Sequence, residues 1–252
     1  MIDIHSHIIY GVDDGSKDLE TSLEMLRLAW EHGTTDIVAT PHANGEFTYD
    51  PYLNKGRVEQ LRAHCGEIQI HTGCDFHLSL ENVEDAFQNP AKYTINGHQY
   101  LLVEFPDGTL IPNIDSVFEQ FLRMRVIPII THPERNWVIQ SNRPKFDAWV
   151  ELGALVQVTG GSLTGRFGKN AKKFAEDLLN DGLCHFIASD AHDTRDRHPK
   201  LRNAHDIVTQ KWGEETAETL FTANGRAVIA GEPLPSNGRH QPARKKKRWF
   251  FF

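Results

Sequence analysis

Cysteine is scarce in this chain: there are three among 252 residues, Cys65, Cys74 and Cys184, too few and too scattered for a disulfide scaffold or a CxxC metal site. A reducing compartment suits them. A cysteine-dependent phosphatase is excluded too, because its thiolate needs an arginine six positions on, and those positions hold His71, Leu80 and Asp190. No GxSxG string and no P-loop string is present, which removes the serine-elbow hydrolases and the Walker-type nucleotidases. No run approaches the roughly 18 apolar residues of a membrane-crossing helix. The opening MIDIHSHIIYGVDD lacks a basic segment, a long apolar stretch and a small-residue cleavage site, so a cytoplasmic protein is expected. Basic charge is also in deficit, with 27 Lys and Arg against 34 Asp and Glu and a net charge of −7. The C-terminal end is strongly basic, so the body is more acidic still and would repel a nucleic-acid backbone.

The hydrophobic share of 39% and charged share of 24% are those of an ordinary globular chain, and the length suits one barrel-sized domain. Short apolar runs alternate with longer amphipathic segments, as in βα units around a parallel sheet. Strands are expected at 2–5, 36–40, 67–71, 100–104, 126–131, 154–159 and 185–189. Between the first two, Leu19, Leu23, Leu26 and Trp30 form one apolar stripe over residues 17–32, a helix stopped by Gly33. No internal repeat or Pro/Ser-rich linker divides the body, taken as residues 1–232. Residues 233–252, EPLPSNGRHQPARKKKRWFFF from Glu232 onward, read as a flexible basic-aromatic tail. Its functional reading is contact with an anionic membrane surface or an acidic partner.

Most expected strands carry a metal-capable side chain at or just past the carboxyl end: His5 and His7, His42, Asp75, Glu104, His132, then Asp190 with His192. A parallel barrel gathers all its strand carboxyl ends on one face, so these scattered residues converge. The sixth strand brings no ligand but places Gly160 and Gly161 there, leaving space for a substrate. Asp13 and Asp14 are good turn and helix-start residues, and one of them can also ligate. Imidazole with carboxylate suits Zn²⁺, Mn²⁺ or Fe²⁺, and so many donors imply two or three divalent ions. Such ions lower the pKa of water and neutralise phosphoryl or acyl oxygens. Arg135 in THPER and Arg197 lie on the same loops and can clamp phosphate oxygens, which tilts the reading towards a phosphoester. The other histidines, among them His71, His185, His198 and His240, lack this placement and read as surface or core residues.

The strings MIDIHSHI, GVDDG, ATPH, LLVEFP, THPER and SDAH, in order from Met1 to about residue 230, resemble the PHP (polymerase and histidinol phosphatase) superfamily. More narrowly they resemble its bacterial protein-tyrosine phosphatase branch of the CpsB/YwqE type. The resemblance implies a distorted (β/α)7 TIM-like barrel with a trinuclear site at the carboxyl ends of the strands. The ligands it implies are His5, His7, Asp14, His42, Asp75, Glu104, His132, Asp190 and His192, with Arg135 and Arg197 on the phosphate. It further implies hydrolysis of phosphotyrosine on a bacterial tyrosine kinase controlling capsule or exopolysaccharide export, by in-line attack of a metal-bridging hydroxide. The family usually carries Glu where this chain has Asp75; a carboxylate shorter by one methylene can still bridge two ions. Its members often share a basic, aromatic tail, which supports a membrane-proximal role for Arg244 to Phe252. Two rivals stand beside this expectation: a histidinol-phosphatase-like or other small-molecule phosphoesterase, and a regulatory subunit that binds the kinase without turnover.

Overall fold

A computed structural model describes residues 1–106, 108 and 112–235. The strands are β1 (Ile2–Ser6), β2 (Asp36–Ala39), β3 (His42–Ala43), β4 (Gln69–Thr72), β5 (Asp75–His77), β6 (Tyr100–Glu104), β7 (Ile127–Thr131), β8 (Leu155–Thr159) and β9 (Phe186–Ala188). All pair in parallel, in the orders β1-β2-β4 and β3-β5-β6-β7-β8-β9. This is a mixed α/β fold. The helices that cross between strands and cover them are α1 (Leu19–Glu31), α2 (Pro51–Arg62), α3 (Leu80–Gln88), α4 (Ile114–Arg123), α5 (Trp137–Ser141), α6 (Arg143–Leu152), α7 (Gly160–Thr164) and α8 (Gly168–Asn180). After β9 come α9 (Arg202–Trp212), α10 (Glu214–Glu218) and α11 (Asn224–Ala230).

Each of the seven expected strands is found, and two of them are followed, after a break, by a further short strand that was not expected. The chain leaves the first ladder at Thr40–Pro41 and at Gly73–Cys74 and re-pairs in the second as β3 and β5. Gly73 N still donates to Ala39 O (2.9 Å) and Asp75 N to Pro41 O (3.1 Å), so the backbone stays satisfied across both breaks. At the other edge Ser6 bridges Ala191 in parallel, with His7 N on Ala191 O at 2.8 Å and Asp190 N on His5 O at 2.9 Å.

The strands bury both faces, which is why they read as continuous apolar runs. Leu102, Ile129, Phe186 and Ala188 belong to one cluster with Val38 and Val228, while their alternates Leu101, Val103, Ile130, Val156 and Ile187 pack with the covering helices. In that outer layer Trp149 is fully buried, stacked on Phe105 at 5.0 Å between centroids and edge-on to Phe118 at 5.9 Å. Phe105 directly follows Glu104, so this aromatic cluster fixes the end of β6.

Helix α1 begins at Asp18, whose carboxylate accepts from Thr21 N (2.8 Å), and Gly33 follows with φ +91°. Its buried face keeps half of the expected stripe, with Leu26 buried and Leu23 packed partly buried against the same cluster. Ser22, Met25, Leu26, Leu28 and Ala29 are buried, whereas Leu19 and Trp30 are exposed. Ser22 is tolerated inside because its hydroxyl donates to Ile8 O at 2.6 Å, a partner that periodicity cannot reveal. The tail expected over 233–252 lies, from residue 236 onward, outside the described residues, and with it Arg244 to Phe252. Among the described residues no helix is long and apolar enough to cross a membrane.

Candidate metal centre

All nine expected donors meet at the carboxyl ends of the strands. Donor atoms of His7, Asp14, His42 and His192 lie within 4.8 Å of one another, as do those of His5, His7 and Asp75, and those of His42, Asp75 and Glu104. The remaining two adjoin these groups. Asp190 Oδ1 is 3.5 Å from Nε2 of both His5 and His7, and His132 Nε2 is 3.5 Å from Glu104 Oε1. Asp75, the shorter carboxylate, sits between His5 Nε2 (3.4 Å) and His42 Nδ1 (3.2 Å) and belongs to two of the three groups.

Proximity here is not hydrogen bonding. Both oxygens of Asp75, His42 Nδ1 and His192 Nε2 are buried and lack a hydrogen-bond partner, although opposite partners lie within about 3.5 Å. Such orphaned groups are costly unless something satisfies them. A divalent cation coordinated by imidazole and carboxylate would satisfy all of them, so the donor set fits the expected metals.

Titration behaviour follows from the crowding. Burial opposes charge on His5, but the carboxylates of Asp75 and Asp190 outweigh it and raise its pKa to about 9. Burial likewise opposes charge on His42, yet Asp14, Asp75 and Glu104 raise it to about 11. Burial and the neighbouring Asp75 push Glu104 up to about 8. His132 falls to about 3, through burial and the Arg135 guanidinium, and His192 to about 4, through burial and His7. Asp75 and Asp190 stay well below the usual carboxylate range, burial notwithstanding, chiefly because His5 faces them. Without cations the cluster therefore holds protons at neutral pH on His5, His42 and Glu104.

Asp190 links the donor cluster to the two expected arginines. Its Oδ1 faces the histidines, while Oδ2 accepts from Arg135 Nη1 and from Arg197 Nη2 (2.8 Å), so both expected arginines converge on one carboxylate. The Arg135 guanidinium also lies over the Phe167 ring at 4.3 Å. Asp190 and His132 take left-handed backbone, with φ +51° and +33°. Such conformations cost about 1–3 kcal/mol each and mark sites where geometry is held for function.

Three further residues support the donors; Gln157 and Glu134 are not singled out by the sequence, and Asp13 reads there as a turn residue or an alternative ligand to Asp14. Asp13 Oδ2 accepts from His7 Nδ1 at 2.7 Å and from His42 N at 3.1 Å, so the residue that reads as a turn former orients two histidines. Gln157, on the strand expected to bring no ligand, accepts from His5 Nδ1 through Oε1 (2.9 Å) and so turns Nε2 towards His7, Asp75 and Asp190. Buried Glu134 accepts from Thr159 N (2.9 Å) and Ser162 Oγ (2.7 Å), pinning the turn that bears His132 and Arg135 to the start of α7. A polar residue in an apolar strand was the available signal for Gln157; nothing distinguishes Asp13 from a turn residue.

Glu104, Phe105, Thr131, His132, Arg135 and Asn136 line a cavity of about 130 Å³ at one side of the centre. Beyond Asp190 lies another, of about 80 Å³, reached by Gly160 and Gly161. Open space is not the main reason for these glycines. A Cβ on Gly161 would lie 2.9 Å from the Phe167 ring, and one on Gly160 3.0 Å from Leu201. Close packing of α7 demands them. Of the histidines expected to stay apart, His71 pairs with Asp36 (3.0 Å) and His185 accepts from Val156 N (3.1 Å), while His240 is outside the described residues.

The pattern defining a family described as "Capsular polysaccharide synthesis, CpsB/CapC" matches residues 1–230. The chain is 34% identical to the putative tyrosine-protein phosphatase CapC of Staphylococcus aureus, covering 99% of both chains. It is also 34% identical to the tyrosine-protein phosphatase YwqE of Bacillus subtilis, over the whole of each. Crystal structures of YwqE from Bacillus subtilis and CpsB from Streptococcus pneumoniae, described as unique metal-dependent tyrosine phosphatases, are matched at TM-score 0.86 and 32% identity. That match covers 96% of this chain and 98% of the other. A β-aspartyl dipeptidase from Fervidobacterium islandicum, at 13% identity and TM-score 0.57, shares the fold alone.

Proposed function

Because the chain belongs to the CpsB/CapC family of capsular polysaccharide synthesis, we propose that it is a metal-dependent protein-tyrosine phosphatase. Its substrate in this reading is phosphotyrosine on a bacterial tyrosine kinase that controls capsule or exopolysaccharide export. The observation that carries the reading is the convergence of nine imidazole and carboxylate donors, several of them buried and unpaired, against two arginines on Asp190. Relatives that cover the full chain and are named tyrosine phosphatases support it.

The strands close, in this reading, as a distorted seven-stranded barrel. The Ser6 bridge to Ala191 and the shared cluster that joins β1, β2, β6, β7 and β9 support that closure. Residues 1–232 form the phosphatase domain, and Arg244 to Phe252 meet an anionic membrane surface from the cytoplasmic side.

His5, His7, Asp14, His42, Asp75, Glu104, His132, Asp190 and His192 would hold two or three divalent ions, Mn²⁺, Fe²⁺ or Zn²⁺. Bound there, such ions lower the pKa of water and neutralise charge on phosphoryl oxygens. The chain supplies the rest. Gln157 and Asp13 fix the tautomers of His5 and His7 by occupying their Nδ1 atoms. Arg135 and Arg197 swing from Asp190 Oδ2 onto the phosphate oxygens and hold phosphorus in line, as planar guanidinium groups do well. Phenolate, with a pKa near 10, departs with less protonation than a serine alkoxide needs.

The test is phosphate release from a phosphotyrosine peptide and from histidinol phosphate, on one preparation, with Mn²⁺ or with chelator. Chelator-sensitive turnover of the peptide is the expected result. Turnover of histidinol phosphate alone would move the chain to small-molecule hydrolysis, and silence on both would leave a binding subunit.

A further inference from the structure

We propose that the cavity beyond Asp190, walled by Arg166, Arg197, His198 and Lys200, receives a second anionic side chain of the same substrate, flanking the phosphotyrosine. The proposal rests on the phosphotyrosine reading above and extends it to what surrounds the phosphorylated residue. Because the cavity shares Asp190 and Arg197 with the candidate metal centre, its occupant belongs to a near neighbour of the reacting residue. At about 80 Å³ it has room for a carboxylate or a phosphate rather than a second aromatic ring.

The chain as a whole is acidic, and some of its cations are paired, as Arg27 is with Glu24 and Glu31, and Lys211 with Glu176; what distinguishes this cavity is that Arg166 and Lys200 stand together on one small recess. Among the described residues neither Arg166 nor Lys200 has a carboxylate within 4.0 Å. Of the acidic residues on the same loop, Asp190 holds Arg197, Asp193 is spent on the backbone amides of Arg195 (2.6 Å) and Arg197 (3.2 Å), and Asp196 is exposed with no cation within 4.0 Å among the described residues. His198 Nε2 accepts from Arg166 Nη2 at 2.8 Å, and burial together with Arg166 lowers the pKa of that imidazole. A neutral histidine thus aims the guanidinium without cancelling its charge. Arg197 is held by Asp190, but Arg166 and Lys200 bring two further cations to the same small recess with no acid against them, and charge-assisted bonds at a partly desolvated site favour an anion from outside.

The experiment uses the full chain and four peptides of equal length, in which phosphotyrosine is flanked by Asp, by a second phosphotyrosine, by Ala or by Lys. The expected result is a kcat/KM about tenfold higher for an anionic flank than for Ala, carried mainly by KM. Comparison of the Asp and phosphotyrosine arms names the source of the anion. The double variant Arg166→Glu, Lys200→Glu should invert the order so that the Lys-flanked peptide becomes preferred. In the wild type, about 0.5 M salt should shrink the preference towards one. Equal kcat/KM for the Asp, second-phosphotyrosine and Ala peptides, or a preference that survives the double variant, would overturn the subsite while leaving the phosphatase reading intact. Absence of turnover of any phosphopeptide would overturn both.

Discussion

Asp13→Asn separates a turn residue from one that orients metal-binding histidines. The native carboxylate accepts three hydrogen bonds, from His7 Nδ1 (2.7 Å), His42 N (3.1 Å) and Gly15 N (3.0 Å), and its pKa is lowered despite burial because His7 faces it. Asparagine keeps the shape and remains a good turn former, but it has one oxygen for three donors and no charge. Its amide nitrogen must oppose either Gly15 or the two histidine-bearing groups. Even in the better orientation, the bond that fixes the His7 tautomer changes from charge-assisted to neutral. Loss of such a supporting carboxylate weakens metal binding about 10–100-fold, or roughly 1.4–2.8 kcal/mol. The assay is competition with a chromophoric chelator, beside thermal unfolding in excess chelator to show that the metal-free fold is kept. Affinity within about twofold of wild type, at unchanged unfolding temperature, would refute the orienting role and return Asp13 to the turn.

Other outcomes follow from the same geometry. His5 and His42, raised to about 9 and about 11, are protonated at neutral pH in the metal-free chain, and ligation needs them neutral. Glu104, raised to about 8, carries a proton as well, so metal uptake should release about three protons and tighten as pH rises from 6 to 8; buffer-dependent calorimetric heats measure this, and uptake without proton release would contradict it. Asp75→Glu keeps a carboxylate between His5 and His42 and should retain turnover, whereas Asp75→Asn should lose about a hundredfold, read as phosphate release from a phosphotyrosine peptide. Gly225→Ala would place Cβ 2.9 Å from Ile2, so despite alanine's better helix propensity it should destabilise by about 1–3 kcal/mol in denaturant unfolding. Trp149→Ala should cost about 3–5 kcal/mol in the same measurement, through the cavity it leaves against Phe105 and Phe118.

Much of this geometry is legible because parallel strands buried on both faces leave continuous apolar runs, and most of these runs end where an expected ligand stands. The residues after IPIIT and FIAS could be placed at a strand mouth from the sequence. What escaped depended on partners distant in the chain. Gln157 is an ordinary polar residue until His5, 152 positions away, is brought to it. The expected stripe of α1 is right at Leu23 and Leu26 but wrong at its ends, because a serine hydrogen-bonded to Ile8 lies inside while Leu19 and Trp30 lie out. The breaks at Pro41 and Gly73 are likewise set by how two ladders meet, which no local pattern encodes.

The central claim is that the converged donors make a catalytic metal centre acting on phosphotyrosine. Its most direct test is turnover of a phosphotyrosine peptide by metal-stripped protein, by the same protein reloaded with Mn²⁺, and by reloaded Asp190→Ala. Activity that vanishes on stripping, returns on reloading and stays absent in Asp190→Ala is the predicted result. Turnover by the stripped protein in excess chelator, or undiminished turnover by Asp190→Ala, would contradict the claim.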